Sequence, residues 1–221
     1  IIKPLPNFRY CTMFVNSLEA VKSHIFFRLI NYKRNKKYLA QIPHIRLLDI
    51  AITFHCLVRC EDDTVSTFEI TNAHIKQWKI TVKDLQKIAF YNTRKLFPPK
   101  LRTMDDIIDE YSGSGSKAIS KGEETYPIFV LTSEKGIYGA FYLLYKDVIR
   151  DVARLKKSNL YILPISVHEL ILIPEDDSLK RELLKKLILE INKFIMSADE
   201  ILSDNVYVYS LKYDNITLAI D

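Results

Sequence analysis

Ser166, His168 and Glu169 stand together between two short apolar runs, Leu160–Leu163 and Leu170–Ile173, and each run stops at a proline, Pro164 or Pro174. A hydroxyl, an imidazole and a carboxylate are the parts of a nucleophile, a base and an orienting acid, the set that acyl hydrolases use. Their spacing argues against that use. On an extended chain Ser166 and His168 share a face while Glu169 points away, so a working set needs a partner from a distant segment. No Gly-x-Ser-x-Gly turn surrounds Ser166, and without it the serine lacks the strained elbow of an α/β-hydrolase. His168 and Glu169 do not open a zinc-binding helix motif either, because position 172 is Leu172 rather than histidine. The competing reading is a polar turn tied by its own hydrogen bonds, and it is the one favoured here.

Other constellations are weaker. His55, Cys56 and Cys60, with His44 or His74, offer zinc-ligand types. Cys56 and Cys60 on one regular strand would lie about 13 Å apart, too far to share an ion, so buried thiols and no metal are expected. Asp105, Asp106, Asp109 and Glu110 form an acidic face that reads as a solvated helix surface. His74 and Trp78 could stack on a base or another planar ligand, but no further aromatic accompanies them, and Trp78 reads as a residue at the core's edge. Lys33, Arg34, Lys36 and Lys37 are one basic cluster. A solvated face is expected there, with nucleic-acid contact the less favoured alternative.

The elements that must position these groups are read from composition and periodicity. The chain has 221 residues, 48% hydrophobic and 27% charged, with a net charge of +5. These values suit a globular core rather than a disordered or strongly polyanion-binding chain. Five glycines leave no material for a glycine-rich phosphate cradle. The three cysteines, Cys11, Cys56 and Cys60, cannot all pair within one chain, and no apolar run is long enough to cross a bilayer. Reduced thiols, a cytoplasmic location and no membrane partner are the expectation.

Along the chain, Ser17 and Glu19 followed by Val21, Ile25, Phe26, Leu29 and Ile30 predict a helix. Strands are predicted over 47–58 and 65–70, paired antiparallel about Glu61, Asp62 and Asp63. Thr81 and Asp84 open an amphipathic helix that Pro98 and Pro99 stop. Residues 104–111 form a short helix, and 112–125, with the Ser-Gly repeat of 112–116, read as a mobile loop. A strand over 126–132, a long helix ending near Lys157 with Leu143, Leu144, Val148, Val152 and Leu155 inward, and two strands about Pro164 come next. The helix 179–194 carries the stripe Leu183, Leu184, Leu187, Ile188 and Ile191, and 206–211 with 215–220 closes the chain as a hairpin. The mixture without regular βαβ alternation predicts one α+β domain over 1–221, with a mainly antiparallel mixed sheet and amphipathic helices packed on it.

Several runs carry a family resemblance: 43–51 from Pro43 to Ala51, 72–78 from Asn72 to Trp78, 92–98 from Asn92 to Pro98, 160–169 from Leu160 to Glu169, and 200–207 from Glu200 to Tyr207. Together they resemble a clostridial family of unknown function from gut Firmicutes, over about Leu18 to Tyr213. A second uncharacterised family of Bacillus type shows a similar order of elements. Members of the first extend by roughly a hundred residues at the N-terminus, so the chain, which opens at Ile1 without methionine, is expected to be the C-terminal part of something longer. Ile165 and the Ser-Gly tract depart from the family pattern. The resemblance implies no activity, cofactor or catalytic residue. The functional expectation is a bacterial non-catalytic interaction or ligand-binding module, without cofactor. The alternative is a hydrolase using His168 with Ser166 or Glu169.

Overall fold

The computed structural model of the chain describes residues 17–61, 64–112 and 127–219. They group into two compact units that meet in sequence between Pro98 and Pro99. Every strand pairing among the described residues is antiparallel, and strands alternate irregularly with helices, an α+β fold. No helix among the described residues is long and apolar enough to cross a membrane.

The first unit opens with a turn of helix α1 (Leu18–Val21) and a 3-10 turn, and then the expected helix gives way to strand β1 (Ile25–Asn31). Five of its seven residues are Ile, Phe or Leu, and their run is apolar on both faces, so a helical spacing could be read into it. A partner strand decides: β1 pairs along its whole length with β3 (Ile50–Glu61), where branched and aromatic side chains pack best. Helix α2 (Lys36–Leu39) and strand β2 (His44–Leu47) precede β3, and β4 (Thr64–Glu69) follows it. β2 and β4 both lie on the edge of β3 away from β1. The predicted 47–58 and 65–70 hairpin is therefore present, with strand ends shifted by a few residues. Its pairing is irregular between Leu57 and Arg59, which breaks the alternation assumed for Cys56 and Cys60.

Helices α3 (Asn72–Trp78) and α4 (Val82–Leu96) complete this unit. α4 begins where the capping box predicts, with Thr81 accepting from the Asp84 N–H and Asp84 from the Thr81 N–H. It runs along the free edge of β1. The Phe27 N–H donates to Thr93 Oγ1 at 3.1 Å, and the Asn92 amide donates to the carbonyls of Lys22 and Ile25 at 2.6 and 3.0 Å. A buried sheet edge needs such partners, and α4 supplies them from its own side chains.

The second unit is a six-stranded sheet in the order β10-β9-β7-β8-β6-β5. Its strands are β5 (Pro99–Thr103), β6 (Phe129–Ser133), β7 (Leu160–Leu163), β8 (Leu170–Pro174), β9 (Tyr207–Ser210) and β10 (Asn215–Leu218). The sequence reading missed β5, taking Pro98 and Pro99 as a stop alone. Proline at the first residue of an edge strand keeps its missing N–H off the ladder. Helix α5 (Met104–Ser112) follows, capped by mutual bonds between Thr103 and Asp106. Apart from Ser112, the predicted mobile loop lies outside the described residues.

Alternation splits the sheet into two faces. Tyr161, Leu163 and Ile173 meet Leu184 and Ile188 of helix α7 (Arg181–Phe194) in one core cluster. Leu160, Ile162, Leu170 and Leu172 point the other way and are fully buried. On that side lie a 3-10 turn (Gly139–Leu144) and helix α6 (Lys146–Lys156), whose Lys156 reaches over the Phe129 ring. The single long helix expected there is broken at Tyr145, and Leu155 is exposed. Gly139 opens the 3-10 turn: a Cβ there would sit 2.5 Å from the Thr132 Cα, so only glycine lets the turn press on β6. The expected stripe of α7 is also wider than the buried one, since Leu183 and Leu187 face solvent. The C-terminal hairpin forms as expected, its turn held by Asp214, which accepts from the Tyr209 hydroxyl at 2.7 Å and from Arg150 at 3.2 Å. Burial and Asp214 push the Tyr209 hydroxyl up to about 12.

Candidate functional site

The connection from β7 to β8, residues 164–169, carries the polar cluster. Pro164 cannot donate to the ladder and ends β7. Ser166 then folds the chain back: its buried Oγ accepts from the N–H of His168 at 3.0 Å and of Glu169 at 3.2 Å. This is a serine turn, in which a side-chain oxygen stands in for a backbone carbonyl. Two other segments hold it. The Val167 N–H donates to the Glu200 carbonyl at 2.9 Å, and the Thr132 hydroxyl, at the end of β6, donates to the His168 carbonyl at 2.8 Å.

The His168 ring is fixed on both sides. Its Nδ1 accepts from the Tyr138 N–H at 3.2 Å. A backbone N–H only donates, so the neutral ring carries its proton on Nε2. Nε2 faces Glu200, with Oε1 at 3.7 Å. The Tyr138 ring stacks on the imidazole with centroids 5.9 Å apart. Tyr138 reaches this position in a left-handed conformation, φ 58°, just before Gly139. Burial raises the Glu169 carboxyl above its usual range, and His168 opposes that shift.

Chemically, the cluster presents a half-exposed imidazole paired with a carboxylate, backed by an aromatic ring. It does not present a nucleophile with its base. The bonds that Ser166 Oγ makes are to backbone N–H groups, and those of His168 are to Tyr138 and Glu200. Sequence reasoning found the serine, histidine and near carboxylate but missed Tyr138, Thr132 and Glu200. Glu200 opens one of the runs that carried the family resemblance, and that was the available signal. Tyr138 contributes a backbone group, which no residue pattern reveals.

The remaining candidates occupy structural positions. His74 and Trp78 do lie together, with rings 5.5 Å apart and stacked, but Trp78 is buried and His74 Nδ1 accepts from the Thr71 N–H to cap α3. Asp106 caps α5, and Glu110 pairs with Arg102. Cys56 is buried, its thiol directed at the Leu57 carbonyl. The side chain of Cys60 and the whole of Cys11 lie outside the described residues. Among the described residues no group of three His, Cys, Asp or Glu side chains is placed to hold a metal ion. His55 is nearly buried, its Nε2 is 2.9 Å from Thr53 Oγ1, and desolvation, assisted by Arg28, lowers its affinity for a proton well below the ordinary imidazole.

Two antiparallel sheets with helices along an edge and across the faces, and a turn cluster without a nucleophile–base pair, define an α+β protein whose chemistry its fold alone does not specify. The chain belongs to a family of unknown function, DUF5688, whose profile matches residues 4–211. No curated protein and no solved structure matches it.

Proposed function

We propose that this protein is a non-catalytic interaction or ligand-binding module of a bacterial cytoplasm, of clostridial origin. The observation that supports this reading is the use of the Ser166 hydroxyl: it accepts two backbone N–H bonds, while the acceptor nitrogen of His168 is occupied by Tyr138. A serine nucleophile needs its proton taken by a base, and here the neighbouring base has no free lone pair aimed at it. What the turn offers a partner is the Nε2–H of His168 beside the Glu200 carboxylate, a donor and an acceptor on a rigid edge. The hydrolase alternative requires the Tyr138 contact to open.

The test pairs stability with turnover. His168→Ala is expected to lower stability by about 0.5–2 kcal/mol through its lost bonds, and Ser166→Ala by about 1–3 kcal/mol because two backbone donors lose their acceptor. Neither variant should differ from the parent in a screen of ester, amide and phosphoester substrates. Turnover by the parent that vanishes in both variants, with melting curves unchanged, would establish the hydrolase instead.

A further inference from the structure

The turn between β2 and β3 is apolar, strained and beside a cluster of cations. Leu47 pairs with Ile50, which leaves Leu48 and Asp49 as the turn, and Leu48 has φ 55°. Glycine or asparagine occupies that left-handed region more readily than leucine does. Leu47 and Leu48 are also 37% and 43% exposed. The turn thus carries a side chain that its backbone disfavours and its burial does not explain, and such a residue points to a role outside the fold.

The cations arrive from two stretches of chain that only the fold brings together. Arg46 lies over the Tyr32 ring at 4.3 Å and donates through Nε to the Leu48 carbonyl at 3.1 Å. The Tyr32 N–H donates to the Asp49 carbonyl at 2.9 Å. These contacts join the leucine tip to the start of the segment that carries Lys33, Arg34, Lys36 and Lys37, all on the surface. Asp49 is the one carboxylate in the sequence from 31 to 49.

We propose that this end of the first unit docks on an anionic lipid surface, with Leu47 and Leu48 entering the interfacial layer and the flanking lysines and Arg46 meeting the headgroup charges. A nucleic acid would use the cations and the exposed Tyr38 but has no use for an exposed leucine pair, whereas an acidic bilayer takes both. Contact with a surface needs no spanning segment. It departs from the sequence-based expectation of no membrane partner, and it rests on residues separate from the Ser166 turn.

The experiment is co-sedimentation of the whole chain with phosphatidylcholine vesicles, with and without about a third phosphatidylserine. Binding is expected only to the anionic vesicles, and it should weaken as salt rises. Lys36→Glu with Lys37→Glu should reduce partition by more than about tenfold, given roughly fivefold for each basic residue near such a surface. Leu48→Asn is the decisive variant. It should reduce partition about threefold while raising the melting temperature, because asparagine tolerates φ above zero. Absence of binding to the anionic vesicles overturns the proposal. So does binding that Leu48→Asn leaves unchanged, which would mean charge alone, and so does tighter binding to a single-stranded or duplex oligonucleotide that ignores the same substitution.

Discussion

His55 shows how a single side chain can be legible in type and illegible in role. In the sequence it sits beside Cys56 and suggests a metal ligand; in the fold it lies on β3 opposite Phe26 and Glu69, hydrogen-bonded to Thr53. Burial, with Arg28 beside it, holds its proton affinity well below the ordinary value of 6.5. The sign of the consequence follows from linkage. The unfolded chain takes up the proton first, so the contribution of His55 to stability is intact above about pH 6.5 and is lost as pH falls below it, at up to about 1.4 kcal/mol per pH unit. His55→Gln keeps an amide for Thr53 and removes the titration. Urea midpoints between pH 7 and 5 should fall less steeply in that variant than in the parent. Equal slopes would show that His55 is not the group responsible.

The elements divide into those set by local pattern and those set by a partner. α4 was legible because Thr81, Asp84 and the Leu85–Ala89 spacing are local signals, and the strands about Pro164 because each is short, apolar and bounded. β1 was not, because a run apolar on both faces fits either period and only β3 settles it. The 3-10 turn that replaces the start of the long helix was not legible for the same reason: the close approach of Gly139 to Thr132 exists only once β6 is in place. Within the candidate site, the residue types were readable and their partners were not, since Thr132 and Tyr138 come from another strand and its turn. The buried polar face of α4 belongs to this second class: Thr93 falls on the amphipathic stripe, and only the edge of β1 lying against it shows why Asn92 and Thr93 are polar. Asn92→Leu keeps the number and branching of side-chain heavy atoms but strips the Lys22 and Ile25 carbonyls of a donor. It should cost about 2–4 kcal/mol in chemical denaturation, whereas Tyr91→Leu, one position away and exposed, should cost less than about 0.5 kcal/mol. Comparable losses at both positions would count against edge-pairing as the origin of the effect.

At the scale of the whole molecule the open question is cooperativity, since the described residues form two compact units while the sequence reads as one domain. Domain boundaries usually fall in exposed, flexible linkers. Here α4 ends at Leu96, Phe97 is fully buried, and β5 begins at Pro99, so only Phe97 and Pro98 separate a helix from a strand. From so short a junction we expect one folding domain. The chain carries its own reporter for deciding this, because its one tryptophan, Trp78, is buried in the first unit. The perturbation belongs in the second unit, at Gly139, where an added Cβ would meet the Thr132 backbone at 2.5 Å. Gly139→Ala should destabilise by about 3 kcal/mol or more, since neither backbone can give way cheaply. In a single cooperative domain, Trp78 fluorescence and far-ultraviolet dichroism shift together to a lower denaturant midpoint, because unfolding is all-or-none for every probe. In two independent domains the Trp78 transition stays where it is in the parent, and the dichroism splits into an early phase and an unmoved one. The first outcome is expected.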